Sequence, residues 1–294
     1  MSKNRRLLLG EIRSKNIGDL AIVEVAELNL DISLKRSLSP DSVKNKYLFH
    51  LVNIFHTLKM GVLIKTYRIT IVTVYGGQII RNNFHWALRI WLLSFLSKKI
   101  ELHHVGVDNT FNPKALFFWR KGLKRVNSII VRDNNSFENL KQIFGIVADV
   151  KIDPAYQMKP LDLNDRGFGS IGVFMSYKDF QRHNISLSEA SYIEFHNGLI
   201  EKYQIDTILC STQSDFDYWK TKYTAKCIPY TSDVSGFVRA LCAGDLIISA
   251  RMHPLIFGEI NARSLVVLAF TDKLDGYAKE LIQRGYEDYS ICNL

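Results

Sequence analysis

Leu246-Ile247-Ile248-Ser249 is a short β-rich run, and Ala250-Arg251-Met252-His253-Pro254 follows it without a break. Proline suits the first position of a helix, so the stretch reads as strand, polar turn, helix. The same unit recurs in both directions along the chain. Strands are expected over 171–175, 207–211, 225–228 and 265–269, with helices over 187–203, 216–223, 234–243, 254–261 and 273–284. The first half repeats the alternation, with strands over 7–12, 69–75, 100–107, 128–132 and 147–152. Helices over 19–30, 43–59, 84–97, 113–121 and 134–144 lie between them. Such a pattern predicts an α/β protein of two Rossmann-like, doubly wound domains. Pro160, Gly167 and Gly169 interrupt it, which sets the expected domains at 1–160 and 161–294.

The length of 294 residues suits two domains, and 47% hydrophobic with 23% charged residues excludes a disordered or collagenous chain. No window reaches the ~18 apolar residues of a membrane span. The start, MSKNRRLLLGEIR, has no long apolar core, so a cytoplasmic protein is expected. Cys210, Cys227, Cys242 and Cys292 have no CxxC spacing and read as buried thiols. Charge is divided unequally: residues 1–155 hold 24 Lys or Arg against 12 Asp or Glu, and residues 156–294 hold 14 against 17. A first half at net +12 suggests an anionic partner: nucleic acid, a membrane surface or a phosphorylated ligand. Aromatic and basic residues do not interleave and no helix-turn-helix or RNP pattern is present, so nucleic acid is not expected. Helix 43–59 places Val43, Tyr47, Leu51, Phe55 and Leu58 on one stripe, and 86–96 is almost wholly apolar before Lys98 and Lys99. Packing on a sheet is the ordinary use of such faces; a membrane interface beside a lipid-linked substrate is the other.

Ligands of open α/β sheets collect at the carboxyl ends of strands, and several chemically useful residues fall there. Gly18 permits close backbone approach and Asp19 can cap the helix that follows. Gly76-Gly77 follows the strand ending at Tyr75. Arg132 ends another strand, where a guanidinium can grip a carboxylate or phosphate, and Asp153 ends a third. Arg251 and His253 alternate along an extended segment and reach a helix N-terminus together, combining an anion clamp with a proton-exchanging imidazole. None of the histidines forms a metal-ligand set such as HExxH, so no metal is expected.

Asn16-Ile17-Gly18-Asp19-Leu20-Ala21, Tyr75-Gly76-Gly77, Val131-Arg132-Asp133 with Ser136, Asp153-Pro154-Ala155, Gln213 with Asp215, Arg251-Met252-His253 and Lys273 stand in an order that resembles the polysaccharide pyruvyl transferase family. The resemblance runs through nearly the whole chain. It implies a GT-B-like pair of domains facing a cleft, and transfer of a pyruvyl group from phosphoenolpyruvate to a sugar as a ketal. Arg132, Arg251 and Lys273 match the donor site, with His253 and Arg251 as catalytic candidates. Gly18, Asp19, Gly76, Gly77, Asp153 and Gln213 are expected to line the acceptor side or the cleft. No cofactor is implied beyond phosphoenolpyruvate as donor. The basic first half suits a sugar acceptor carried on a lipid diphosphate, with peripheral contact at the inner face of the cytoplasmic membrane. Two departures concern the acceptor: Gln78 replaces a third small residue, and Arg263-Ser264-Leu265 lacks a Gly-x-Pro. The alternative on the same architecture is a glycosyltransferase with a sugar-nucleotide donor, against which stands the lack of an evident acidic ribose partner.

Overall fold

All pairings between strands are parallel in the computed structural model, which describes residues 5–11, 14, 16–37, 46–161, 169–183, 185–223 and 227–292. One compact unit comprises residues 1–14 and 19–154, and the other residues 15–18 and 155–294. The division comes before the expected 160 because the chain just past Pro154 already belongs with the second unit. Tyr156 donates its hydroxyl to Glu259 Oε2 (2.5 Å), and the Leu161 amide donates to Asn261 Oδ1 (2.9 Å).

The first unit runs β1 (Arg6–Gly10), α1 (Ile17–Asn29, whose first two residues fall with the second unit), β2 (Leu34–Ser37), α2 (Lys46–Thr66), β3 (Ile71–Tyr75), β4 (Gln78–Ile80) and α3 (Phe84–Leu93). It continues with β5 (Lys99–Val107), α4 (Pro113–Leu123), β6 (Ser128–Val131), α5 (Asn134–Phe144) and β7 (Asp149–Val150). Sheet order is β2-β1-β3-β5-β6-β7, with β4 beside β5. Leu7, Leu9, Val72, Val74, Leu102 and Val131 fill the core, as expected where helices cover both faces of a parallel sheet.

The second unit holds β8 (Ser170–Val173), α6 (Tyr177–Gln181), α7 (Glu189–Lys202), β9 (Ile205–Leu209), α8 (Gln213–Trp219) and β10 (Cys227–Ile228). After these come α9 (Val234–Leu241), β11 (Leu246–Ser249), α10 (Met252–Ile260), β12 (Ser264–Leu268), α11 (Asp272–Gln283) and β13 (Tyr289–Cys292). The order β10-β9-β8-β11-β12-β13 is that of a doubly wound dinucleotide-type sheet, reversing between β8 and β11. In the first unit the reversal falls between β1 and β3. These switch points are where open α/β sheets bind ligands.

Three expectations change. Helix α1 starts at Ile17, so Asp19 lies in its first turn instead of capping it. Helix α10 starts at Met252 with Arg251 as its N-cap, so Pro254 lies within the first turn and His253 on the helix. The Leu51, Phe55, Leu58 stripe of α2 faces outward, while Asn53, Thr57, Met60 and Ile64 face the core. Parts of the expected elements, residues 12, 43–45 and 225–226, and the expected boundary residue Gly167 lie outside the described residues. Among the described residues, no helix is long and apolar enough to cross a membrane.

Candidate functional site

The Ser249-to-His253 turn leaves β11 at the second unit's switch point. Ser249 is fully buried and its Oγ accepts from the Arg251 amide (2.9 Å), which fixes the turn. Arg251 then reaches back over β8: Nη2 donates to Asp179 Oδ2 (2.8 Å) and to Asp215 Oδ1 (2.5 Å). Burial alone would lower the guanidinium's pKa, but the two carboxylates outweigh it and the shift is upward. Asp215 is fully buried at the start of α8. It accepts from the Ser176 amide (2.8 Å) and the Ser211 hydroxyl (3.3 Å), and its own amide donates to the N-cap Thr212 (3.1 Å). Arg251 Nε is buried without a hydrogen-bond partner among the described residues.

The segment Asn16-Ile17-Gly18 docks on this framework. The Ile17 amide donates to the Ser211 carbonyl (3.0 Å), Asn16 bridges to Thr212, and Gly18 N donates to Asn16 Oδ1 (2.9 Å). Gly18 lies directly against His253: a Cβ there would stand 1.9 Å from imidazole Nδ1. No side chain fits at position 18 while the ring keeps its place, so glycine here admits the histidine. Only 8% of His253 is exposed, and Phe257 stands one helical turn further along α10. Three separate motifs, around Gly18, Asp215 and His253, thus meet within one unit. Gln213 opens α8 with its amide on Asp217 Oδ1 (3.0 Å), and Lys273 is exposed in the first turn of α11.

In the first unit Arg132 follows β6 and is 8% exposed. Its Nη2 donates to Gln78 Oε1 (2.7 Å), Gln78 donates in turn to Asp108 Oδ1 (2.9 Å), and Nε approaches Asp133 Oδ2 (3.4 Å). Asp133 also caps α5 by accepting from the Ser136 amide (2.6 Å). Gln78 therefore positions Arg132. Gly76 and Gly77 both take the left-handed backbone (φ 68° and 75°), and a Cβ on Gly76 would meet Ile22 at 2.0 Å. Asp19 accepts from the Ser14 hydroxyl (2.7 Å). Asp153, buried after β7, shares its surroundings with Tyr75 and His104. Burial, then the Asp153 charge, push the Tyr75 hydroxyl up to about 12, and burial pushes His104 down. His104 sits at φ 55° where the β5–β6 register shifts, and its Nδ1 meets the Ile152 carbonyl (3.1 Å).

The sequence pointed to Arg251, His253 and Gly18, but not to Asp179 or to His104 beside Tyr75 and Asp153. Asp179 lies 72 residues from Arg251, and His104 reads as an ordinary strand residue until the register shift is seen. A groove of about 700 Å³ between the ends of α4 and α5, lined by Arg120, Lys124 and Ile129, contains none of these residues. Among the described residues, no group of three His, Cys, Asp or Glu side chains could hold a metal ion.

A family model described as polysaccharide pyruvyl transferase matches residues 16–271. No curated protein sequence matches the chain. Among solved structures, a UDP-GlcNAc 2-epimerase from Methanocaldococcus jannaschii superimposes with a TM-score of 0.58 at 10% identity, covering 99% of this chain and 89% of that one. A glycosyltransferase from Rickettsia africae gives 0.53 at 12% identity, covering 96% and 88%. At such identities the likeness is one of fold: two parallel α/β units of the glycosyltransferase and epimerase kind.

Proposed function

The chain belongs to the polysaccharide pyruvyl transferase family, and from that premise we propose that it moves a pyruvyl group from phosphoenolpyruvate to a sugar of a polysaccharide or its lipid-linked precursor, forming a ketal. The observation that carries this reading is His253 at the N-terminus of α10, with the Gly18 backbone against it and Arg251 anchored beside it. Phosphoenolpyruvate is small and carries both a phosphate and a carboxylate, so it needs positive groups held in fixed geometry. Arg132, Arg251 and Lys273 are the candidates. The carboxylates of Asp179 and Asp215 take up Arg251 Nη2 and compensate its charge, which gives Arg251 a positioning duty toward the turn and leaves its Nε as the donor without a partner among the described residues.

The chemistry balances with the chain's own residues. A proton added to the methylene carbon turns the enol phosphate into a methyl group and leaves cationic character on the adjacent carbon. One acceptor hydroxyl attacks that carbon, the carbon–phosphate oxygen bond breaks, and a second hydroxyl closes the ketal. Of the two hydroxyl protons lost, one replaces that given to carbon and the other leaves with phosphate. His253 is assigned to this traffic, a role worth on the order of 100-fold to 10,000-fold in rate. The reaction calls on no resident cofactor. Acceptor binding falls to the basic first unit, acting at the cytoplasmic face with peripheral membrane contact.

Incubation with phosphoenolpyruvate and a panel of diol sugars tests the assignment. Wild type is expected to release phosphate and to add one pyruvic acid less one water to an acceptor, as read by mass spectrometry. His253→Gln is expected to bind phosphoenolpyruvate and lose the transfer. Full turnover by His253→Gln removes the histidine from the mechanism.

A further inference from the structure

Helix α2 turns its more polar face inward. Arg89, fully buried on α3, donates through Nη2 to Asn53 Oδ1 (2.9 Å) and through Nε to Thr57 Oγ1 (3.2 Å). Rolling the helix to bury its apolar stripe would take both acceptors from a buried guanidinium, so the orientation is fixed. What remains outside is Leu51 (53% exposed), Phe55 (68%), Leu58 (59%) and Val62 (63%), with Ile54 beside them. Spacings of four, three and four residues keep these on one line two residues out of step with Asn53, Thr57, Met60 and Ile64, that is, on the opposite side of the helix.

The patch continues onto Phe95 and Leu96, the latter beside Gly61 of α2. Helix α2 has no acidic residue along its length; it carries Lys59 and Lys65, and Arg68 follows. Lys98 and Lys99 follow Leu96, and the Arg125 guanidinium lies over the Phe95 ring at 4.0 Å.

We infer that the outward face of α2 docks on an anionic lipid bilayer, with Leu51, Phe55, Leu58 and Val62 entering the headgroup boundary and the surrounding lysines and arginines meeting lipid phosphates. This deepens the peripheral contact proposed above. It stands on α2 alone and needs no particular donor. Apolar residues flanked by cations, on a helix too polar on its other side to span, are the pattern of helices that lie in the membrane interface. The same spacing would also fit a helix from a second copy of this chain. Such a seam would set lysine against lysine with no acidic residue on either α2 to answer it, and charge selects the lipid.

Co-sedimentation with phosphatidylglycerol–phosphatidylcholine vesicles and with pure phosphatidylcholine vesicles tests this. Wild type is expected to bind the anionic vesicles, less so at high salt, and to leave neutral ones largely unbound. Phe55→Ser with Leu58→Ser should weaken binding by at least about tenfold from lost apolar burial. Lys59→Gln and Lys65→Gln should each weaken it about fivefold. Lys202→Gln, on α7 of the other unit, should not change it. All variants are expected to keep the wild-type melting temperature and phosphoenolpyruvate binding, which separates failure of the surface from failure of the proposed reaction. Vesicle binding unchanged in the double serine variant, or absent in wild type, overturns the inference. So does a dimer in sedimentation equilibrium that the same double variant abolishes.

Discussion

His196 shows what a single buried side chain can impose. It is fully buried among Phe174, Tyr192, Trp219 and Phe270, with Nδ1 on the Tyr192 carbonyl (2.7 Å) and Nε2 without a partner among the described residues. Burial pushes its pKa down to about 4, against an ordinary 6.5. The unfolded chain therefore binds this proton first as the pH falls. The stability held by neutral His196 is complete above about pH 6.5 and is lost toward pH 4, amounting to about 3 kcal/mol. Thermal melts between those limits should show a falling midpoint in wild type and a flatter one in His196→Phe. Equal slopes would assign the acid sensitivity to other groups. The histidine reads from sequence only as a helical residue, because nothing local announces the aromatic cage around it.

Arg251 needs more than its own residue to be understood, since its surroundings come from three elements: the first turn of α6, the start of α8, and the end of β11. The strand–turn–helix around it is legible in the sequence because proline, polar turn and apolar run agree. Its partners are not, because carboxylates 36 and 72 residues away reach it only through the parallel order β9-β8-β11. Asp215→Ala should lower stability by about 3 kcal/mol, since Asp179 remains but a buried charge loses its closest counterion. A melting midpoint indistinguishable from wild type would mean that Asp179 alone can hold the guanidinium. Helix α2 gives the complementary lesson: its apolar stripe is plain in the sequence. Which way the stripe faces is set by Arg89, a residue that the helix's own periodicity cannot reveal.

Across the whole molecule, alternation of strands and helices was enough to predict two doubly wound units, and the strand orders then supply what alternation cannot: the switch points. Gly76-Gly77 follows β3 at one, and Arg251 with His253 follows β11 at the other. Part of the positive charge of the first half lies around α2, at Lys59, Lys65 and Arg68. The proposal of phosphoenolpyruvate as donor rests on the family and on Arg132 and Arg251, whereas structures of similar fold include an epimerase of UDP-GlcNAc. Calorimetric titration of the wild-type protein with phosphoenolpyruvate and, separately, with UDP-N-acetylglucosamine decides between the two donors. Saturable binding of phosphoenolpyruvate with none of the nucleotide sugar is the predicted result; binding of the nucleotide sugar with none of phosphoenolpyruvate would contradict the account.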